Sequence, residues 1–457
     1  MSTQLWKQLC VVALFLSTTI FLVSRASSNP ESTAPTPTGS NFYIDSMSGS
    51  DDNRGTSEES PWQTLAKVSG TPFQPGDTIS FKRGSSYTGV VYFNDNGTSD
   101  NPITISAYGT GDAPAFTNPD FDLSYGNAFN ITGDYVIVDG LYFHGTAADT
   151  GNTRGDTLNA AAVFVAKGAD HVTVRNSEFN DCAIGVTSAG LHTLITRSNF
   201  HDFRRWLDPP GWGPLGIVIA SANAEISYNN FSNIYTVGGS FGADGGAIEL
   251  DDRFFDTKCH DVNIHHNTSS YNYGFLEVEG KVAGNNLDVS YNVSNDYQEF
   301  IFYWGGHGSK IENNTVIRTL PPLGDPPSVN TVFSMALKVG DGQTGPFIVR
   351  NNIFVVGNGV QVWVNAPYDA RQGYAAAVKE NNIYYSADGS TSDPHGLTLG
   401  PGEMIVDPGF VNLSGKDYHL TSGSPAIDAG QDLGYTSDIE GRTMPNGSAP
   451  DIGAYEH

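Results

Sequence analysis

The chain has 457 residues, a formal net charge of −26 and only 16% charged side chains, alongside 52 glycines. So acidic a protein repels nucleic acid and anionic membranes, and no basic run offsets the effect; the densest basic pair away from the start is Arg204-Arg205. Three cysteines, one of them in the first ten residues, exclude a disulfide-built scaffold.

Residues 1–26 read as a signal peptide. Lys7 supplies the early positive charge, Leu9 to Val23 the apolar core, and Ser24-Arg25-Ala26 the small residues of a cleavage site. The apolar stretch is short for a membrane span. The protein is therefore expected to be exported, to the outside or the periplasm, with no membrane contact once the signal is removed. Residues 27–40 have the Pro/Ser/Thr composition of an extended linker. Order begins at Phe42-Tyr-Ile-Asp, and Ser60-Pro61-Trp62 signals a short helix with Ser60 as N-cap, placed to cap the open end of the domain.

From Val174 onward the chain repeats itself. Segments such as Ile226-Ser-Tyr-Asn-Asn-Phe, Val289-Ser-Tyr-Asn-Val and Val349-Arg-Asn-Asn-Ile-Phe recur at spacings of 21 to 38 residues, a period a little above 20 broken by insertions. Each repeat carries a second short strand, as in Gly246-Ala-Ile-Glu-Leu and Gly274-Phe-Leu-Glu-Val. Two or three strands per turn without helical periodicity specify an all-β parallel β-helix, one domain over residues 41–457 whatever the length. Asn at the corners tolerates a left-handed backbone and can hydrogen-bond to the Asn of the next coil. Asn-x-Ser/Thr matches such as Asn313-Asn-Thr and Asn292-Val-Ser are read as products of that ladder and not as glycosylation sites. Cys182 and Cys259 fall on non-adjacent coils and are not expected to pair.

Alternation along the second strands places side chains. Ile248 and Leu250 point inward, leaving Ala247, Glu249 and Asp251 outside; Leu276 and Val278 point inward, leaving Phe275, Glu277 and Glu279 outside. Glu277 and Phe302 share a column, and Glu249 joins it if the residues around Thr236 to Gly245 loop out. Four carboxylates so gathered hold a cation, share a proton, do acid/base work, or form a solvated acidic face. The next coil carries Tyr303, Trp304 and His307, and the one after places Lys338 outward. The insertion with Arg204, Arg205, Trp206 and Trp212 adds indoles suited to sugar rings and guanidiniums suited to carboxylates.

Tyr43-Ile-Asp-Ser-Met-Ser-Gly-Ser-Asp-Asp-Asn-Arg-Gly-Thr, Pro61-Trp-Gln-Thr-Leu and Gln74-Pro-Gly-Asp-Thr-Ile-Ser-Phe resemble the opening of secreted right-handed parallel β-helix proteins of the pectate-lyase-like superfamily. Ser424-Pro-Ala-Ile-Asp-Ala-Gly and Asp451-Ile-Gly-Ala-Tyr-Glu are similar to the closing segment of many of them, here about 405–457. The resemblance implies carbohydrate chemistry but not which kind.

Two chemistries fit these residues, with a polysaccharide as partner and the chain acting as a monomer. The first expectation is a lyase cleaving a uronate-containing polysaccharide by β-elimination, with Lys338 as base and Glu249, Asp251, Glu277 and Glu279 as candidate Ca²⁺ ligands. Leu337-Lys-Val-Gly-Asp-Gly resembles the base-bearing segment of calcium-dependent pectate lyases, although that family's Asp-Asp-Gly-rich calcium coils are missing. The alternative is a retaining glycoside hydrolase with Glu249 and Glu277 as acid/base and nucleophile, since its carboxyl groups sit about 5–5.5 Å apart, near one coil spacing. A non-catalytic glycan-binding surface protein is the third reading.

Overall fold

Short apolar strands separated by corner residues bury their inward side chains by winding into a coil. The structure, a computed structural model, describes residues 39–120, 124–146, 159–205, 212–238, 242–279, 284–303, 308–324, 332–335, 348–363 and 377–457. Three parallel sheets run along the coil axis: one of 12 strands from Asn41–Ile44 to Val378–Glu380, one of 9 strands from Val91–Phe93 to Phe333–Met335, and one of 12 strands from Ser86–Thr88 to Met404–Ile405. This is the expected parallel β-helix. Its interior is a continuous apolar column, in which Phe143, Phe179, Phe200 and Phe231 stack at centroid distances of 4.6 to 5.0 Å.

The corner after the first sheet divides between two residues the work that sequence reading gave to one Asn. The left-handed position is held by Tyr228, His266, Tyr291, Asn313, Asn351 and Asn381, with φ of 53 to 56°. The residue after each is the ladder Asn: 229, 267, 292, 314, 352 and 382. Each ladder carbonyl from Asn267 onward accepts the backbone N–H and the side-chain Nδ2 of the preceding ladder Asn, at 2.9 to 3.1 Å. Ser198 extends the ladder upstream, and Glu403 ends it by accepting from Asn382 Nδ2 at 2.8 Å. Asn292 and Asn313 are buried to 0% and 1% exposure, which agrees with reading their sequons as structural.

The N-terminal helix is real but starts later than expected. It spans Leu65–Ser69 with Thr64 as N-cap, whose side chain accepts from Lys67 N at 3.1 Å. Ser60 does not cap it, because Trp62 is drawn into extended pairing: its N–H donates to Tyr43 O, its carbonyl accepts from Asp45 N, and its indole stacks on Phe42 at 5.0 Å. The C-terminal segment does more than close an end. Tyr418, Leu420, Ala426, Ile452 and Ala454 lie against Val293, Ile317, Ile353, Val355 and Ile383, the outer face of the third sheet over four coils. Cys182 and Cys259 are buried free thiols. The signal peptide and the linker lie outside the described residues, apart from Gly39 and Ser40; among the described residues no helix is long and apolar enough to cross a membrane.

Candidate active site

The nine-stranded sheet carries the acidic column. The insertion before Gly246 folds away as an antiparallel hairpin, Thr236–Val237 against Ala243–Asp244, so strand Gly246–Asp251 falls into step with its neighbours. Gly245 makes the return at φ 123°, where an added Cβ would also lie 2.8 Å from Pro214 O. The resulting register sets Val218, Glu249, Glu277 and Phe302 side by side on four successive strands, and Asp251 beside Glu279. Neighbouring strands lie about 4.8 Å apart. The expected column is thus present, with Glu249 in it.

Alternation fails where each strand begins. Ala247 and Phe275, expected outside, are both 0% exposed in the core, and Phe275 stacks on Phe300 at 5.2 Å. The corner entering this sheet turns two consecutive side chains inward, a local geometry that period-2 counting cannot foresee.

Around the column is a cleft of about 460 Å³ whose walls include Trp212, Asp244, Glu249, Arg253, Tyr273, Glu277, Glu279, Gln298, Glu299 and Phe302. Burial, then the charges of Asp251 and Glu279, pushes the Glu249 carboxyl well above its usual range; burial, then Glu249 and Asp244, does the same to Glu277. Burial holds Glu299 up at about 7. Asp244 is also raised by burial, against the pull of N–H donors from Gly245 at 2.8 Å and Gly213 at 3.0 Å. Such a group of carboxyls retains protons near neutral pH and can deliver one to a leaving oxygen.

Asp251 and Glu279, the expected metal ligands, are joined by a guanidinium. Arg253 donates from Nε and Nη2 to the two oxygens of Asp251 at 2.9 and 2.7 Å, and its Nη1 pairs with Glu279 Oε2. A calcium ion ligated by both would have to displace Arg253, so these residues as arranged do not fit the metal. Trp212 lines the cleft and meets Phe254 edge to face at 5.2 Å. Arg204 and Arg205 do not line it: Arg204 forks onto Asp181 at 2.8 and 2.7 Å, while Arg205, 1% exposed, lies behind the wall and lends its charge to Asp244. Tyr303 ends strand Ile301–Tyr303 at the register position of Val278, one place off the Glu column. Trp206, Trp304, His307 and Lys338 lie outside the described residues. Sequence reasoning missed Asp244, Arg253, Tyr273 and Glu299. Of these, only Asp244, closing the predicted loop-out, carried a usable signal.

No known family model matches the chain. In overall structure it is similar to pectate lyase Pel9A, with a TM-score of 0.55 and 16% identity over 92% of this chain and 98% of that one. It is likewise similar to a rhamnogalacturonan lyase, with a TM-score of 0.54 and 17% identity over 82% and 92%. The chain shares the parallel β-helix fold of these two proteins. In sequence, 105 residues are 40% identical to the lacto-N-biosidase of Bifidobacterium longum subsp. longum, a match spanning 22% of this chain and 6% of that protein.

Proposed function

We propose that the protein is a retaining glycoside hydrolase acting on a neutral glycan outside the cytoplasm, with Glu249 and Glu277 as its catalytic pair. The observation that carries this reading is the in-register placement of buried Glu249 beside half-buried Glu277 in an aromatic-walled cleft. One coil spacing between them suits a retaining mechanism. One carboxyl gives its proton to the glycosidic oxygen as the aglycone leaves, while the other carboxylate attacks the anomeric carbon and forms a glycosyl ester. Water then cleaves that ester, its proton passing to the first carboxylate. Trp212 and Phe302 supply apolar faces for the sugar. A cleft whose carboxyls outnumber its one guanidinium favours a neutral substrate over a uronate chain. The sequence match to a lacto-N-biosidase supports hydrolysis, and the apolar segment from Leu9 to Val23 supports export.

The test incubates the chain with lacto-N-tetraose, aryl β-glycosides and, in parallel, pectate and alginate while absorbance at 235 nm is followed. The expected outcome is new reducing ends on a neutral glycan, with Glu249→Gln and Glu277→Gln each lowering kcat about 10³-fold or more. A rise at 235 nm would replace this reading by the lyase with Lys338 as base. Full activity in both Glu variants, with loss in Asp244→Asn or Asp251→Asn, would move the chemistry to the aspartates.

A further inference from the structure

The backbone that walls the cleft leads into a group of tyrosines. Segments 271–273 and 297–299 run side by side on neighbouring coils, with Tyr297 N donating to Asn272 O at 3.0 Å and Gln298 N to Tyr273 O at 2.6 Å. Tyr273, Gln298 and Glu299 face the cleft, so Tyr271 and Tyr297 begin where its wall ends. Tyr235, at the root of the hairpin that carries Asp244, meets Tyr297 at 5.6 Å and 65°, and Tyr271 stands 6.2 Å from Tyr297. All three rings are half-buried. Lys416, delivered by the C-terminal segment, sets its ammonium 3.6 Å from the Tyr271 centroid and occupies that ring.

We propose that Tyr297 and Tyr235 form a carbohydrate-binding platform that lengthens the acidic cleft, receiving the pyranose units next to those held at the glutamates. The proposal rests on the glycan reading given above. Two observations carry it: the main-chain continuity between platform and cleft, and the half-exposed aromatic rings of Tyr297 and Tyr235 in contact with each other. Phenol faces suit the C–H faces of neutral sugars, and a two-torsion side chain loses little entropy in holding one. The chain therefore binds an oligosaccharide longer than the acidic site alone accommodates.

Saturation-transfer NMR of the Glu277→Gln protein with lacto-N-tetraose, a neutral tetrasaccharide, tests this. The expected result is transfer to all four sugars, reduced to the part seated at the acidic site in the Glu277→Gln/Tyr297→Ala and Glu277→Gln/Tyr235→Ala proteins, with affinity about five- to tenfold weaker. An unchanged footprint and affinity in both Tyr variants, each folded by circular dichroism, would overturn the platform while leaving the hydrolase reading intact. A full footprint in a protein whose native form cleaves no glycan would keep the platform and remove the hydrolase. Loss of all binding in the parent Glu277→Gln protein would remove both for this glycan.

Discussion

Glu299 shows how a single residue ties the cleft to the stability of the coil. Its carboxyl is held at about 7 by burial, with the Arg318 guanidinium pulling the other way, against an ordinary value of 4.5. Between those values the folded chain keeps a proton that the unfolded chain has released, so the stability tied to that proton is present below about 4.5 and lost as pH rises to about 7. Glu249 and Glu277, shifted in the same direction, add to the loss. Thermal scans should therefore show the melting temperature falling between pH 5 and pH 8, with Glu299→Gln removing part of the slope. A slope identical in the variant would mean that Glu299 ionises freely in the fold. Arg253 is the complementary case. Its removal leaves Asp251, whose side chain is 0% exposed, without its bidentate partner. Urea unfolding of Arg253→Met should show a loss of about 3 kcal/mol, much of it restored by adding Asp251→Asn, because the penalty is an unpaired buried charge. Neither role was legible in the sequence: Arg253 follows Asp251 by two positions, and only the turn after the strand decides that its head folds back between two coils.

At the scale of the element, the ladder strand–corner–strand unit explains both what could be read and what could not. The apolar-x-x-Asn period identified the coil, since no other arrangement buries such short strands with their corners in line. It could not say which corner residue turns left-handed, because Tyr, His and Asn all occupy that place here, and their neighbour is the Asn that bonds from coil to coil. The second strands were legible over Ile248–Asp251 and Leu276–Glu279, where period 2 holds, and misread at Ala247 and Phe275, where the corner suspends it. The ladder also makes a sharp prediction. Asn314 is fully buried; its Oδ1 accepts from Asn292 N at 2.9 Å and Nδ2 at 3.0 Å, and its Nδ2 donates to Val289 O at 2.8 Å and Asn352 Oδ1 at 2.9 Å. Asn314→Ala leaves the buried Asn292 N–H without its acceptor and removes the Nδ2 bonds to Val289 O and Asn352 Oδ1, and chemical denaturation should read a loss of about 2–4 kcal/mol. Asn230→Ala, which removes an exposed amide three coils upstream on the third sheet, should stay within about 0.5 kcal/mol. Equal effects at the two positions would deny the ladder any special part in stability.

The whole molecule adds a layer that the repeat does not announce. A three-sheeted coil leaves its outer faces to water, yet the third sheet presents Val293, Ile317, Ile353, Val355 and Ile383 outward over four consecutive coils. The closing segment supplies the matching cover. Tyr418 and Leu420 pack there, Asn295 Nδ2 donates to Tyr418 Oη at 3.0 Å, Ala454 N donates to Thr315 Oγ1 at 3.0 Å, and Tyr435 Oη reaches round to Glu312 Oε2 at 2.9 Å. The sequence marked this segment as an ending but gave no sign of the surface it covers, because the hydrogen bonds that fix it join residues more than a hundred positions apart. Ending the chain after Asp407 should therefore expose a contiguous apolar patch on an otherwise complete coil, the condition under which a β-sheet protein associates. The truncated chain is expected to bind a hydrophobic dye, to form higher oligomers in gel filtration and to melt at least 10 °C below the full chain. Tyr418→Phe, which loses one hydrogen bond and keeps the cover, should cost about 1 kcal/mol and elute from gel filtration as the full chain does. A truncated chain that elutes and melts with the full one would show the coil to be self-sufficient. The contacts of the last fifty residues would then serve only to bring Lys416 to the tyrosines beside the cleft.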